Sequence, residues 1–467
     1  SDLNNFAPRL GFAYNPKNLL EGKMVLRGGF AVAYDQVFQN ILLNVSRNFP
    51  RVVTNTTTRC NGCRPYLGFE NIPDSATLLN GQGQTISGAG AVRAFFARTP
   101  QNVPASEVAF VDERLFSPNE RIKQPRSLQW TASLQYELAQ DLVFKAEYIG
   151  TKGTNLVREV EANYSLLPPN GSGVRVNPNR GSFLVGQGIA NSIYHAGQFT
   201  LEKRLSDLNA FGLKFGGISF NANYTYSSFI SESDDVLGGQ ANRTIPADPR
   251  DPSLDRARSG FDQPHRFVFS AVYATPDVFK ENAFVNRLLG GWQLSTVSTA
   301  ASGTPFSVLA SNNAAGISSA AVTTVFLSQR VGLNNPNGAP NSYTTATVVN
   351  GQVTSLGARP DARYVIYPTN SGIFGNLGAN TERTPSTFNT DLALVKNIRT
   401  FGERQRLQLR FETFNIFNRR NFTVIPNNVL APAPASNPGQ LNNPNFLNYG
   451  LTNVGGRSFQ FGMRYFF

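Results

Sequence analysis

Apolar and polar residues alternate with a period of two in several segments of this chain. The clearest alternation is at the end of the sequence, in residues 457–467. One face of that segment would carry the apolar side chains of Phe459, Phe461, Met463, Tyr465 and Phe467. The other face would carry Ser458, Gln460, Gly462, Arg464 and Phe466. A strand with this pattern suits a position between lipid on one side and water on the other.

The same period predicts about 11 strands along the chain. Besides the last one, the predicted strands lie near residues 7–14, 23–36, 126–138, 144–148, 192–205, 218–227, 265–273, 289–302, 387–397 and 407–412. Many of them have about ten residues or more, the length that a tilted strand needs to cross a membrane. The alternative is a soluble β-sandwich, whose strands also alternate but usually have only about 5–6 residues.

The predicted connections alternate between short and long. Short gaps lie near residues 15–22, 139–141, 206–216, 276–288 and 398–404. Long gaps lie near residues 37–125, 153–191, 231–263, 303–386 and 418–456. Short periplasmic turns and long extracellular loops are typical of outer-membrane barrels. We therefore expect an all-β fold, a transmembrane antiparallel β-barrel with long extracellular loops.

The order of short and long gaps fixes the direction of every predicted strand. If the short gaps are periplasmic, the last strand ends in the periplasm at Phe467, and the first strand also runs towards the periplasm. A barrel with an even number of strands and a periplasmic N-terminus begins with a strand that runs outwards. We therefore expect an odd number of strands upstream of Ser1, where the sequence has no signal-peptide pattern.

Composition agrees with strands and turns. Among 467 residues there are 36 Phe, 15 Tyr and 41 Gly, and only 15% of the residues are charged, which favours β-structure over helices. The net charge is +12, but the basic residues are scattered and form no nucleic-acid motif, so we expect no nucleic-acid partner. The excess charge suits contact with outer-membrane lipid and lipopolysaccharide; a solvated excess explains it equally well.

The sequence offers little for catalysis. It has two His, His195 and His265, and neither lies in a recognisable Ser-His-Asp arrangement, so we predict no enzyme and no cofactor. The two Cys, Cys60 and Cys63, cannot readily build a four-ligand zinc site with these His. They predict a small disulfide that pins a loop in an oxidising compartment; a redox-active pair is the alternative.

An acidic stretch is the one candidate for a metal ion. Glu232, Asp234 and Asp235 could supply oxygen ligands to Ca²⁺, and further Asp residues follow up to Asp262. No EF-hand spacing is present. A solvated loop is therefore the alternative interpretation, and we predict no other metal site.

Charged residues also occur on the polar faces of the predicted strands. In a barrel they would face the lumen and contact one another, water or a plug, because burying them without partners would be costly. These predicted lumenal residues are Arg27, Lys145, Glu147, Glu202, Arg410, Glu412 and Arg464.

The C-terminus resembles the terminal β-signal that the bacterial barrel-assembly machinery recognises. The pattern consists of a polar residue, a glycine and two aromatic residues, with the second aromatic in the last position. The residues that carry it are Gln460, Gly462, Tyr465 and Phe467. The resemblance implies that this machinery is a partner during biogenesis.

Longer motifs resemble the barrel of TonB-dependent outer-membrane transporters of the Oar-like type. The matching stretches are Asn5 to Tyr14, Val25 to Phe30, Glu147 to Leu156, Gly290 to Leu294, Ser302 to Phe306, and Arg410 to Asn418 with Asn421 and Phe422. They follow one another along the whole chain. The resemblance implies a barrel of about 22 strands with an N-terminal plug and a segment that binds TonB.

Against that family, the chain corresponds to the C-terminal half of the barrel. We expect residues 1–467 to be the C-terminal portion of a single outer-membrane β-barrel domain, with the plug and the N-terminal strands outside this sequence. The implied function is energy-coupled uptake of an unidentified ligand across the bacterial outer membrane. The alternative is a surface adhesion or assembly protein that uses its long extracellular loops to bind a partner.

Overall fold

The computed structural model describes most of the chain. The described residues are 5–17, 20–35, 57–61, 74–80, 84–98, 113–116, 123–166, 174–177, 183–210, 213–234, 246–276, 285, 288–310, 330–368, 371–399, 405–422, 446–447 and 453–467.

Eleven long strands form one antiparallel sheet, in which neighbours along the chain are also neighbours in space. The strands are β1 (Arg9–Tyr14), β2 (Met24–Tyr34), β3 (Arg126–Ala139), β4 (Leu142–Glu161), β5 (Phe183–Ala210), β6 (Leu213–Ser231), β7 (His265–Ala274), β8 (Trp292–Ala301), β9 (Thr387–Arg399), β10 (Arg406–Phe414) and β11 (Ser458–Phe466). Each prediction of a strand is confirmed. Among the described residues, β1 pairs only with β2, and β11 only with β10.

Three strands are longer than the alternation predicted: β4, β5, and β6, which runs from Leu213 to Ser231 instead of over residues 218–227. β4 continues to Glu161 and β5 begins at Phe183, and the two extensions pair with each other from Leu184 opposite Glu161. Much of the predicted long gap 153–191 is therefore strand. The pattern failed there because residues 157–161 are all buried, so the two faces no longer differ in their contact with solvent.

The long connections also contain structure of their own. One small sheet, made of Thr57–Asn61, Thr77–Asn80 and Thr85–Ser87, is followed by the helix Ala89–Phe96. A four-stranded sheet is made of Gly332–Leu333, Tyr343–Val349, Gln352–Leu356 and Tyr364–Ile366. No helix in the described part of the chain is both long and apolar enough to cross a membrane.

The register gives the large sheet two chemically different faces. One row of paired residues runs through Tyr14, Leu26, Leu134, Ala146, Phe199, Tyr224, Phe267, Ala300 and Phe388. The adjacent row, on the opposite face, runs through Ala13, Arg27, Ser133, Glu147, Gln198, Thr225 and Arg266. Many large side chains of the first face are exposed, among them Phe199 at 44% and Phe267 at 39%. So broad an exposed apolar surface suits lipid rather than water.

Candidate functional site: the polar face and the outer loop cluster

All of the predicted lumenal charged residues lie on the polar face. The register partners connect them across the sheet without a change of face: Arg27 is linked to Glu147 through Ser133, and Glu202 is linked to the β9 row through Asn221 and Ser270. At the far edge, Arg410 lies opposite Gly462 and Glu412 opposite Gln460. The opposite face is apolar, so the sheet separates the two environments by alternation alone.

Two of these cations form ion pairs within their own strands. Lys145 Nζ lies 2.6 Å from Glu147 Oε2 on β4, and an Arg410 amino group lies 3.0 Å from Glu412 Oε1 on β10. Residues two apart in a strand point to the same face, which brings the opposite charges together. Both pairs are partly exposed, so each contributes at most about 1 kcal/mol to stability.

The other charged residues of the polar face have different surroundings. Arg27 donates a hydrogen bond of 3.0 Å to Gln135 Oε1 on the neighbouring strand. The guanidinium of Arg464 lies over the ring of Phe466, 4.8 Å from its centroid. Glu202 lies between Val143 and Asn221 in the register. This face therefore offers cations, anions and amides to whatever fills the space beside it.

Above the sheet, the long connections pack into one unit that we call the outer loop cluster: residues 246–262, 303–310, 330–368, 371–386 and 446–447. Its apolar core consists of Val308, Ala310, Val331, Tyr364, Ile366, Leu377, Phe446 and Leu447. The rings of Tyr343 and Tyr364 both contact Phe446 edge to face. The cluster is thus a folded body with a core of its own.

Asp255 ties this cluster to the extension of β4. Its carboxylate accepts hydrogen bonds from Arg158 of β4 and from Arg330, the latter at 2.6 Å. Arg158 also donates to the carbonyl of Pro252 at 2.9 Å. Arg158 and Asp255 are only 1% and 2% exposed. Removing one partner of such a buried pair leaves an uncompensated charge, so the contact holds the two segments in one arrangement.

Asp262 makes a second connection of this kind. Its Oδ1 accepts a hydrogen bond of 2.7 Å from the backbone N–H of Phe229 on β6, and its Oδ2 accepts from Arg258 and Arg383. Arg383 also donates to the carbonyl of Gly303 at 2.9 Å. One buried carboxylate thus connects the end of β6 with both loops that flank β7 and β8.

Burial also changes the ionisation of groups in the cluster. Burial raises the pKa of Tyr364 to about 12, although the neighbouring guanidinium of Arg363 acts in the opposite direction. At Asp248, burial opposes ionisation, but hydrogen bonds from the side chain and backbone of Arg250 outweigh it and lower the pKa. The phenol is therefore neutral and the carboxylate charged at neutral pH.

The acidic stretch is occupied by protein donors. Glu232 accepts hydrogen bonds from the backbone and side chain of Asn191 and from Arg256. Asp234 accepts from the hydroxyls of Ser231 and Ser259 and from the N–H of Gly260. Asp235 lies outside the described residues. Within the described ranges, no three His, Cys, Asp or Glu side chains lie close enough to hold a metal ion.

The structure describes the residues of the predicted β-signal but only one of the two cysteines of the predicted disulfide. Cys63 lies outside the described residues, so its bond to Cys60 stays a prediction. Gln460, Gly462 and Tyr465 lie in β11, and the Tyr465 hydroxyl donates to Gln405 at 3.1 Å. Phe467 follows the strand and is 95% exposed. Recognition by the assembly machinery stays a prediction as well.

Sequence reasoning missed the buried ion pairs of the loop cluster. Arg158 lies in residues 153–191, which the sequence predicted to be a long connection between strands. Asp255 and Asp262 were visible only as members of an acidic stretch. Their partners lie 97 and 121 residues away in the chain, a separation over which one sequence carries no pairing signal.

Comparisons with known proteins agree with this architecture. The family described as "Outer membrane beta barrel domain" matches residues 1–460. No protein with a curated functional description matches the chain.

Similar solved structures include the outer membrane transporter YddB from Escherichia coli, with 8% identity, a TM-score of 0.47 and coverage of 99% of this chain and 41% of that one. The FrpB iron transporter from Neisseria meningitidis has 10% identity, a TM-score of 0.40 and coverage of 99% and 39%. The ferric enterobactin receptor from Pseudomonas aeruginosa has 12% identity, a TM-score of 0.42 and coverage of 98% and 40%.

The chain thus spans about two fifths of the length of these solved structures. The family match, by contrast, extends over nearly the whole chain, and it agrees with the two-faced sheet of eleven strands. The chain belongs to the outer membrane beta barrel domain family and is a protein of the bacterial outer membrane.

Proposed function

We propose that this protein is part of a TonB-dependent receptor that takes up a ligand across the outer membrane with energy from the inner membrane. The single observation that carries the proposal is the outer loop cluster, which is fixed to the strand ends by the buried carboxylates Asp255 and Asp262. A folded cluster at the end of the polar face can present a preformed surface to a ligand, which lowers the entropic cost of binding.

The polar face supports the same function. We propose that its charged residues face the lumen, where a plug or water meets them. The pairs Lys145–Glu147 and Arg410–Glu412 offer hydrogen-bonding groups of both signs. We further propose that residues 1–467 are one portion of a single barrel domain, and that TonB acts through a region outside this sequence.

The experiment uses the full-length gene in its own host. Strains with the intact gene, with the gene deleted and with tonB deleted are grown in the same complex medium, and the compounds removed from that medium are compared. Energy-coupled uptake predicts that some compounds are removed only when the gene and tonB are both present. The proposal would be contradicted if the removal of some compounds required the gene but was unchanged by the deletion of tonB.

A surface adhesion protein is the second candidate. The outer loop cluster carries apolar side chains in water, with Phe261 at 66% and Leu254 at 55% exposure. Exposed aromatic and aliphatic groups of this kind suit contact with another protein. Attachment of the gene-deletion strain to surfaces or cells, compared with the tonB deletion, separates the two functions, because adhesion needs no energy coupling.

A further inference from the structure

The apolar face carries a cluster of rings near its long-loop end. Trp130, Tyr148 and His195 contact one another, with the Tyr148 and His195 rings stacked at a centroid distance of 6.1 Å. A similar group on the next strands contains Tyr224, Tyr226 and His265. The Tyr148 and Tyr224 hydroxyls each lie 2.8 Å from the Nδ1 atom of the adjacent His.

The height of these rings matches the membrane surface. Strand β7 runs from His265 to Tyr273 within the apolar face, a rise of about 20 Å for a strand tilted near 40°. That is close to the apolar band of about 25 Å in outer-membrane barrels. Aromatic rings with polar atoms are favoured at the edge of this band. The cluster therefore lies where lipid headgroups begin.

Three basic side chains form a diagonal line across this cluster. Arg126 on β3 is paired with Thr154, and Lys152 on β4 is paired with Leu128, two positions along β3. Lys152 is also paired with Ile193, two positions from His195 on β5. Diagonal neighbours in antiparallel strands lie about 7–8 Å apart or less, so Lys152 is close enough to share an anionic group with Arg126 on one side and with His195 on the other.

The two full charges in this line have no acidic partner. Within the described part of the chain, Arg126 makes one side-chain hydrogen bond, of 3.3 Å to Thr154 Oγ1, and Lys152 has no hydrogen-bond or ion-pair partner. On the polar face of the same strand, Lys145 is neutralised by Glu147 at 2.6 Å. Arg126 and Lys152 on the apolar face are thus available to an anionic ligand, while Lys145 on the polar face already has an anionic partner in Glu147.

The hydrogen bond of His195 to Tyr148 also leaves one of its ring nitrogens available to a ligand. Its Nδ1 atom faces the Tyr148 hydroxyl, and its ring contacts the indole of Trp130. When the phenol donates to Nδ1, the proton of the neutral imidazole lies on Nε2, which is left to donate to a ligand. Trp130 in turn donates to the Tyr148 hydroxyl at 3.4 Å.

We propose that Arg126, Lys152 and His195 form a binding site for the phosphate group of an outer-leaflet lipid. Guanidinium and ammonium groups bind phosphate through charge-assisted hydrogen bonds. The site is on the face that meets lipid, directly above the apolar residues Leu134 and Phe199, so the acyl chains of the same molecule would cover those residues. This position favours a lipid over a soluble phosphate compound.

The test uses the full-length protein that contains this chain, refolded in uncharged detergent, and lipid A as the phosphorylated lipid. Native mass spectrometry counts bound lipid and gives its apparent affinity. The double variant Arg126→Gln, Lys152→Gln should bind lipid A at least about tenfold more weakly, because each lost charge-assisted contact is worth roughly that factor. Dephosphorylated lipid A should bind both proteins equally weakly.

The control variant, Lys23→Gln with Arg406→Gln, makes the same change of charge at the short-turn end. It should bind lipid A like the unchanged protein. Equal loss in both variants, or no loss in either, would overturn the site. Competition by inorganic phosphate as effective as by lipid A would show a soluble ligand instead. Because Lys152 is exposed, Lys152→Gln alone serves as a second variant if the double variant does not refold.

Discussion

The indole of Trp130 lies directly against Gly150 on the neighbouring strand, and a Cβ atom on Gly150 would be 2.1 Å from the indole carbon Cε2. The two residues are register partners on the apolar face. The missing side chain thus makes room for the indole, a ring that only two residues of the chain carry. This close contact also sets the position of the ring beside Tyr148 and His195.

We expect Gly150→Ala to displace the indole and to lower the free energy of unfolding by about 1–3 kcal/mol, as overpacking usually does. Gly197→Ala is the matched control, because a Cβ there would meet only Phe199 Cε2 at 3.8 Å. Denaturant unfolding in detergent measures both, and the emission of Trp130 reports the displacement. Equal stability of the two variants would mean that the indole adapts without cost.

The buried carboxylate of Asp255 should be required for the outer loop cluster. Asp255→Asn removes the charge that Arg158 and Arg330 share, and breaking such a pair costs about 3–5 kcal/mol. Limited proteolysis should then cut the cluster while the strands stay protected. Asp361→Asn, at an exposed position of the same cluster, should change the cutting pattern little. Protection that is equal in both variants would count against the role of Asp255.

The two faces of the sheet should differ in their tolerance of charge. Phe269→Arg places a cation on the apolar face and should cost about 2–4 kcal/mol near the middle of the membrane. Ser270→Arg, one residue further on, places the same cation on the polar face and should be much milder. Refolding into lipid vesicles with denaturant titration gives both values. Similar costs for the two variants would invalidate the assignment of faces.

The loop cluster should loosen at high pH. Burial raises the pKa of Tyr364 to about 12, above the value near 10 of an exposed tyrosine. A neutral phenol favoured by the fold contributes stability that is complete below pH 10 and is lost as the pH rises through 12. Near-ultraviolet circular dichroism should show this loss between these values. Tyr364→Phe should remove that part of the pH dependence; an unchanged profile would assign it to other groups.

Phe467 should matter more for assembly than for stability. The side chain is 95% exposed, so its deletion should change the unfolding free energy little. The resemblance of the C-terminus to a β-signal predicts a severe loss of the full-length protein from the outer membranes of cells. Refolding of the same variant in detergent should be near normal. Normal surface abundance after the deletion would contradict the signal.

Local patterns determined the sheet. Each of the eleven strands was predictable because a strand between lipid and water must alternate apolar and polar side chains. This alternation can be seen directly in the sequence, for example from Leu128 to Tyr136. The faces of Arg27, Lys145 and Glu412 followed from the same period. The prediction fails, for example, where residues 157–161 leave this two-sided environment and become buried.

The tertiary structure alone decided the contacts between distant segments. The pattern of apolar and polar residues gives no sign that Arg158 and Asp255 are paired. Only the fold of the long loops brings the two charges together and excludes water from them. The line of Arg126, Lys152 and His195 likewise depends on strand register, which places residues from three strands on a diagonal. Alternation tells which face a side chain occupies, but neighbours across strands depend on how each pair of strands is aligned, and one sequence does not encode that alignment locally.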